Sequence, residues 1–372
     1  MGVNRAKPPS CGRGGWDVMS AVAEREWRAG AWQGFARVFG LSVAGFGLAA
    51  FGFVAVLDPY GLRVGPGRTP APLMDGNQRF MYPQVARSGL YDAAVFGSST
   101  SRLLDPDRLG PVLGGRFANF AMNAATPFEQ MSIARVFLRY AAPKVVVFGL
   151  DANWCAADAD TKRLTFRPFP AWLYAEGAPW GVLRQLNGQG LAAAWRVALA
   201  RWAGVPPRLR ADGYAVFTPP EAGYDARRAA AHIHGGGAAM PEAAPVDPPV
   251  DAVAAPMPAL GWLDDLLGAM PPDTRKVLAF MPVHVAAQGL PGTAKGAREA
   301  ACKARVAAIG ARRGARVVDF RIPSPVTTED TNYWDALHYR LPIAERIVTA
   351  LGAAVATGTD DPDGFYRVLP RP

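Results

Sequence analysis

The chain has 372 residues, half of them hydrophobic, enough to build a sizeable core in one large domain or two small ones. Its formal net charge is +9, with a pI near 9.7. No basic recognition helix or stacking-aromatic motif accompanies that charge, which argues against nucleic acid as a partner.

Residues 38–57 read VFGLSVAGFGLAAFGFVAVL, without a charge. A run of about 20 apolar residues can span a bilayer as a helix. Arg5, Lys7, Arg13, Arg25, Arg28 and Arg37 precede it, and Asp58 and Pro59 follow. The positive-inside rule therefore makes residues 1–37 a cytoplasmic basic tail and sends the rest across the membrane. The run is long for a signal-peptide h-region, and no clean small-x-small cleavage site follows it. It also lacks the polar positions at a 3.6 period that a core helix would show. The expectation is an uncleaved, single-pass anchor with the bulk of the chain extracytoplasmic.

Residues 58–90 are rich in Gly, Pro and Arg and read as a juxtamembrane linker with a short helix near 77–86. A β-α-β rhythm then begins. Short apolar runs at 93–96, 116–120, 144–150, 276–281 and 316–320 read as buried strands. Helices are expected at 127–140, 260–270, 294–313 and 341–356. The rhythm lapses at about 155–260, an insertion with Trp-rich helical stretches at 171–176 and 190–203. A Pro/Gly/Ala-rich tract at 205–258 reads as irregular surface or partly disordered loop. Residues 357–372 read as a tail.

Alternating strands and helices predict an α/β domain over 91–356, a parallel sheet of about five strands with helices on both faces. In such sheets, chemistry sits at the carboxyl ends of the strands. The insertion leaves the 144–150 strand at that edge, as a lid, a substrate wall or a neutral expansion.

Cys11 falls on the cytoplasmic side. Cys155 and Cys302 fall in an oxidising compartment, where they either form one disulfide or stay as two buried thiols; spacing does not decide between these. No cysteine or histidine spacing matches a metal site. His232 and His234 form an HxH pair in the Gly/Ala-rich tract, a weak ligand signal, and no metal or cofactor is expected. A nucleotide site is not expected either, because the first strand is followed by neither Gly-x-Gly-x-x-Gly nor a P-loop lysine.

Two stretches carry chemistry. Val95-Phe96-Gly97-Ser98-Ser99 reads as a strand running into a serine turn, with Ser98, Ser99 and Ser101 as candidate nucleophiles. Asp335-Ala336-Leu337-His338 sets a carboxylate three residues before an imidazole, where it can fix the tautomer of His338. Tyr333 and Trp334 before them read as packing residues. Each motif alone is common. The order is informative: a serine after the first strand, and an Asp-His pair just ahead of the final helix.

This constellation resembles the SGNH hydrolase superfamily, the GDSL-type esterases and lipases. It is nearest to the membrane-anchored bacterial branch that includes proteins of teichoic-acid D-alanylation and of alginate and other exopolysaccharide O-acetylation. The resemblance covers roughly 90–155 and 275–345. It implies a flavodoxin-like three-layer sandwich. Gly97-Ser98-Ser99 is similar to the Gly-Asp-Ser block, which implies Ser99 as nucleophile and puts Ser98 at the Asp position. Asn119-Phe120-Ala121-Met122-Asn123-Ala124-Ala125-Thr126 resembles the second block, with Ala124 at the place of an oxyanion-hole glycine. Its backbone N–H survives that change. Asp335 and His338 match the fifth block.

The third block departs from the family's Gly-x-Asn-Asp: this chain has Gly149-Leu150-Asp151-Ala152-Asn153, with Asp151 at the Asn position. An ionised carboxylate cannot donate to an oxyanion and repels it. Three arrangements remain. Asp151 is protonated in an apolar setting; or it turns away, with Asn153 or Asn123 donating; or the N–H groups of Ser99 and Ala124 act alone. The last two are preferred. His284, after the fourth strand, either contacts substrate or is structural, and Arg102 either meets an anionic glycan or is solvated.

The resemblance implies an acyl-ester hydrolase or O-acyltransferase, with acetyl as the expected group and a cell-envelope or secreted polysaccharide as substrate. A transferase would need a multi-spanning membrane partner to deliver acyl groups. The alternative is a glycan-binding or assembly protein that keeps the fold with an impaired site.

Overall fold

The computed structural model describes residues 14–176, 181–235, 254–289 and 291–369, with side chains from residue 31 onward. Residues 1–13 of the expected basic tail, including Cys11, lie outside the described residues. The chain divides into two compact units, Met1–Val56 and Leu57–Pro372.

The first unit is carried by one helix, α1 (Gly14–Leu57). Its stretch Ala31–Leu57 is long and apolar enough to cross a membrane, with a mean hydropathy of 2.1. Trp32, Phe35, Phe39, Leu41, Phe46 and Leu48 are exposed, so this surface is apolar where a water-facing helix would be polar.

The second unit is α/β. Its strands are β1 (Ala93–Phe96), β2 (Phe117–Asn119), β3 (Val145–Leu150), β4 (Arg275–Phe280), β5 (Ala315–Asp319) and β6 (Arg367–Val368). They form one mixed sheet in the order β2-β1-β3-β4-β5-β6, with β1 to β5 parallel and β6 antiparallel to β5. The expected all-parallel sheet of about five strands is thus corrected to six strands, one antiparallel. The sixth comes from the supposed tail. Phe365 and Tyr366 pack on Phe320 at ring distances of 5.0 and 5.6 Å, holding the two-residue strand against β5. So short a strand has no periodicity to read.

The helices are α2 (Gln78–Arg87), α3 (Pro106–Leu113), α4 (Pro127–Tyr140), α5 (Ala171–Tyr174), α6 (Gly181–Arg184), α7 (Gly188–Ala203), α8 (Ala226–His234), α9 (Pro258–Gly268), α10 (Ala294–Arg313) and α11 (Leu341–Thr357). Alternate strand residues feed two separate cores. Ala94, Phe96, Val146, Phe148, Leu278 and Phe280 pack with residues of α2, α4, α9 and α10. Ala93, Val95, Val145, Val147, Val277 and Ala279 pack with residues of α3 and α11. A sheet buried on both faces needs unbroken apolar runs, which is why KVVVFGL shows no alternation.

Residues 58–90 are not a linker. Tyr60, Leu73, Met81, Tyr82 and Val85 belong to the first core. Polar residues of α2 are buried too, Gln78, Arg79 and Gln84 among them: Arg79 is inaccessible and forms an ion pair with equally inaccessible Glu129. Part of the Pro/Gly/Ala-rich tract is also ordered. Residues 208–214 run along the open edge of β2, where the Asn119 N–H donates to the Asp212 carbonyl. Residues 226–234 form α8, so His232 and His234 stand on a helix and not in a loop. Residues 236–253 of that tract lie outside the described residues.

Candidate active site

The carboxyl ends of β1, β2 and β3 supply most of the site, and the loop ahead of α11 supplies Asp335 and His338. Gly97 follows β1, and the chain turns through Ser98 into a short 3-10 helix, Ser99–Ser101. The turn is tight because the buried Ser101 hydroxyl occupies the space beside two glycines. A Cβ on Gly97 or Gly149 would collide with Ser101 Oγ. The side-chain amide of Asn119, at the end of β2, donates to the carbonyls of Ser101 (3.0 Å), Arg102 (3.3 Å) and Leu104 (2.9 Å). The Tyr339 hydroxyl donates to the Thr100 carbonyl. Burial pushes that phenol well above its ordinary pKa, so it stays a donor.

These restraints hold Ser99, alone of the three candidate serines, against His338: Ser99 Oγ lies 2.9 Å from His338 Nε2. Ser98 Oγ sits 3.5 Å from Thr100 Oγ1, and Ser101 Oγ is buried without a partner among the described residues. His338 Nδ1 lies 2.8 Å from Asp335 Oδ2, and Asp335 Oδ1 accepts the N–H groups of Leu337 (2.8 Å) and His338 (3.0 Å). Burial raises the Asp335 carboxyl, but the His338 hydrogen bond and charge and the two backbone donors outweigh it and hold the pKa below the usual value. An ionised carboxylate only accepts, so Nδ1 carries the imidazole proton and Nε2 is left to accept from Ser99. This chain of groups can move a proton off the Ser99 hydroxyl.

Ala124 is exposed and adopts a left-handed backbone, φ +52°, at the place where the family resemblance expects glycine. Neither the Ser99 nor the Ala124 N–H is engaged by another group among the described residues. Asp151 lies beneath the serine turn. Its Oδ1 accepts from Thr100 Oγ1 at 2.7 Å and is 3.8 Å from Arg321 Nη2, while its buried Oδ2 has no hydrogen bond among the described residues. Asn153 Nδ2 donates to the Ala125 carbonyl at 3.0 Å, so that amide braces the second-block loop. The Asn123 amide oxygen accepts from Arg102 Nη1 at 2.9 Å.

Arg102 is not solvated: it is buried, and its guanidinium stacks over Phe217 at 4.7 Å. Phe217 also meets the His338 ring edge-on at 5.6 Å. The insertion therefore supplies a wall of the site. Glu221 pins that wall by accepting from Arg340 Nε (2.7 Å) and the Leu341 N–H (3.0 Å). His284 is not brought into this surface. Its side chain is 1% exposed and faces Asp330 and Tyr333, which excludes direct substrate contact in this conformation. Burial lowers its pKa, with the Asp330 charge opposing.

Sequence reasoning missed the supports of the second-block loop. Arg79 donates to Glu129 through Nε (2.8 Å) and Nη2 (2.6 Å), and to the Asn123 carbonyl through Nη1 and Nη2 (both 3.2 Å). Glu129 also closes a capping box with Thr126 at the start of α4. The box was legible as Thr-x-x-Glu; the arginine, 50 residues upstream, was not. The open cysteine question resolves as a Cys155–Cys302 disulfide.

No protein-family model matches the chain, and no curated protein is similar to it at a significant level.

Proposed function

We propose that this protein is a membrane-anchored serine acyl-ester hydrolase or O-acyltransferase of SGNH type. Its proposed substrate is an acyl ester, with acetyl as the proposed group, on a cell-envelope or secreted polysaccharide outside the inner membrane. The observation that carries the reading is the Ser99–His338–Asp335 hydrogen-bonded chain at the carboxyl edge of a mostly parallel sheet. The 2-1-3-4-5 order of the parallel strands supports a flavodoxin-like sandwich. The apolar stretch Ala31–Leu57 supports the anchor, and the basic residues before it support an extracytoplasmic second unit.

In this reading Ser99 Oγ attacks the ester carbonyl as its proton passes to His338 Nε2. Asp335 stabilises the imidazolium. The N–H groups of Ser99 and Ala124 receive the oxyanion. Collapse breaks the C–O bond, and His338 returns the proton to the departing alcohol. Water or a sugar hydroxyl then attacks the acyl-serine, giving hydrolysis or transfer; the transferase version takes a multi-spanning membrane protein as acyl donor. No cofactor enters this scheme.

A serine-directed fluorophosphonate should label the protein, with the adduct on the Ser99 peptide. Ser99→Ala should abolish labelling and lower 4-nitrophenyl acetate hydrolysis by at least about 10³-fold. Label on Ser98 or Ser101, or activity that survives Ser99→Ala, contradicts the assignment. A second reading, an impaired site serving glycan binding or envelope assembly, draws on Asp151, an acceptor where the family has a donor. It is favoured if Ser99→Ala leaves polysaccharide acetylation in cells unchanged.

A further inference from the structure

Two of the four histidines in the chain meet an aspartate outside the Ser99–His338 contact. His234 is the last residue of α8, in the insertion. His284 follows β4, and Asp330 opens a short 3-10 helix ahead of the Asp335–His338 turn. His234 Nε2 lies 3.0 Å from each Asp330 oxygen. His284 Nε2 lies 3.0 Å from Asp330 Oδ1. One ligand atom from each of the three residues falls within 4.8 Å of the others.

His284 sets this apart from an ordinary surface ion pair. Its side chain is 1% exposed, yet its Nε2 has no hydrogen-bond partner among the described residues. It sits close to Asp330 Oδ1 but off the line a hydrogen bond needs. Neighbouring ligands on one metal stand in that relation, since bonds of about 2.0–2.2 Å put ligand atoms roughly 3 Å apart. Tyr333 packs edge-on against the His284 ring at 5.4 Å and fixes its plane. His234 is exposed, which leaves a path for an ion to enter.

We propose that His234, His284 and Asp330 form a binding site for one divalent transition-metal ion of the zinc class. Two imidazoles and one carboxylate suit Zn²⁺, Co²⁺, Ni²⁺ or Cu²⁺ better than the all-oxygen preference of Mg²⁺ or Ca²⁺. Water completes the coordination. Binding has a structural cost: the Ala286 N–H donates to His284 Nδ1 at 3.2 Å. A ring that binds metal through Nε2 carries its proton on Nδ1 and gives up that bond, which lowers affinity about fivefold. The bound ion would clamp the insertion helix α8 onto the loop that carries Asp335 and His338.

The test uses the untagged full chain in detergent, stripped with EDTA and titrated with Co²⁺ by visible absorption and with Zn²⁺ by calorimetry. Both titrations should saturate at one equivalent. His234→Ala and Asp330→Asn should each weaken binding at least about tenfold, while His338→Gln should leave it unchanged. Zn²⁺ should raise the thermal midpoint of the wild type but not of His234→Ala, whose exposed side chain can be removed without opening the core. Absence of saturable binding, undiminished binding in His234→Ala, or loss of binding in His338→Gln would overturn the assignment.

Discussion

Ser99 Oγ lies 2.9 Å from His338 Nε2, although 239 residues separate them. The contact depends on which ring nitrogen bears the proton, and Asp335 sets that. Asp335→Asn keeps the shape, but an amide NH₂ facing Nδ1 would favour the other tautomer and aim Nε2–H at Ser99. For the proposed reaction, kcat on an acetyl ester should fall about 10³–10⁴-fold with KM little changed. Steady-state kinetics with 4-nitrophenyl acetate read this directly.

The same carboxylate links stability to acid. Its pKa is lowered in the folded chain, so its ionised form contributes stability above the unfolded value, near pH 4. That contribution is lost as pH falls through the lowered pKa. The side chain is 39% exposed, so solvent screening keeps the effect small. Urea unfolding between pH 6 and 3 should show the wild-type advantage over Asp335→Asn shrinking toward the acid end.

Arg79 and Glu129 form a pair that is costly to break. Both side chains are fully buried, and the same guanidinium holds the Asn123 carbonyl next to Ala124. Glu129→Gln leaves a buried positive charge uncompensated and should cost about 3–5 kcal/mol in equilibrium unfolding. Arg79→Lys should also destabilise, because an ammonium cannot reproduce the planar fork.

Ala124 holds a left-handed backbone that costs a non-glycine residue about 1–2 kcal/mol. Glycine removes that strain but loses about 0.5–1 kcal/mol to the unfolded chain. Ala124→Gly should therefore range from neutral to stabilising by about 1.5 kcal/mol in denaturant melts. It should leave ester hydrolysis within about threefold of wild type, since the backbone N–H is retained.

The Cys155–Cys302 disulfide joins the segment after β3 to α10 across a sequence separation of 147. Replacing both cysteines with alanine should lower unfolding free energy by about 2–5 kcal/mol. Dithiothreitol should lower the thermal midpoint of the wild type and leave the double variant unmoved.

The elements legible in the sequence were those with a local signature. The predicted helices at 127–140 and 294–313 match α4 and α10 in their bounds. The first five strands fall within a residue or two of the apolar runs, because burial on both faces demands unbroken hydrophobicity. Segments whose order comes from distant partners were misread. Residues 58–90 look like linker because their glycines, prolines and arginines are polar or breaking in isolation; Arg79 is ordered by partners at least 44 residues away, Glu129 and the Asn123 carbonyl. Phe217 stands in a tract of loop composition and gains its role from Arg102 and His338.

The sequence by itself determined the apolar stretch before residue 58, the strand–helix alternation and the residue types able to do serine chemistry. Each follows from periodicity or side-chain chemistry within a few neighbours. The residues alone left Ser98, Ser99 and Ser101 as candidates, and the family resemblance implied Ser99; the tertiary structure sets Ser99 against His338, with the buried Ser101 hydroxyl wedged between Gly97 and Gly149 at the turn. It also decided that Asp151 lies under Thr100, that the two cysteines pair, and that His234 and His284 converge on Asp330. These outcomes depend on where the chain closes across the sheet, and local pattern carries no record of that closure.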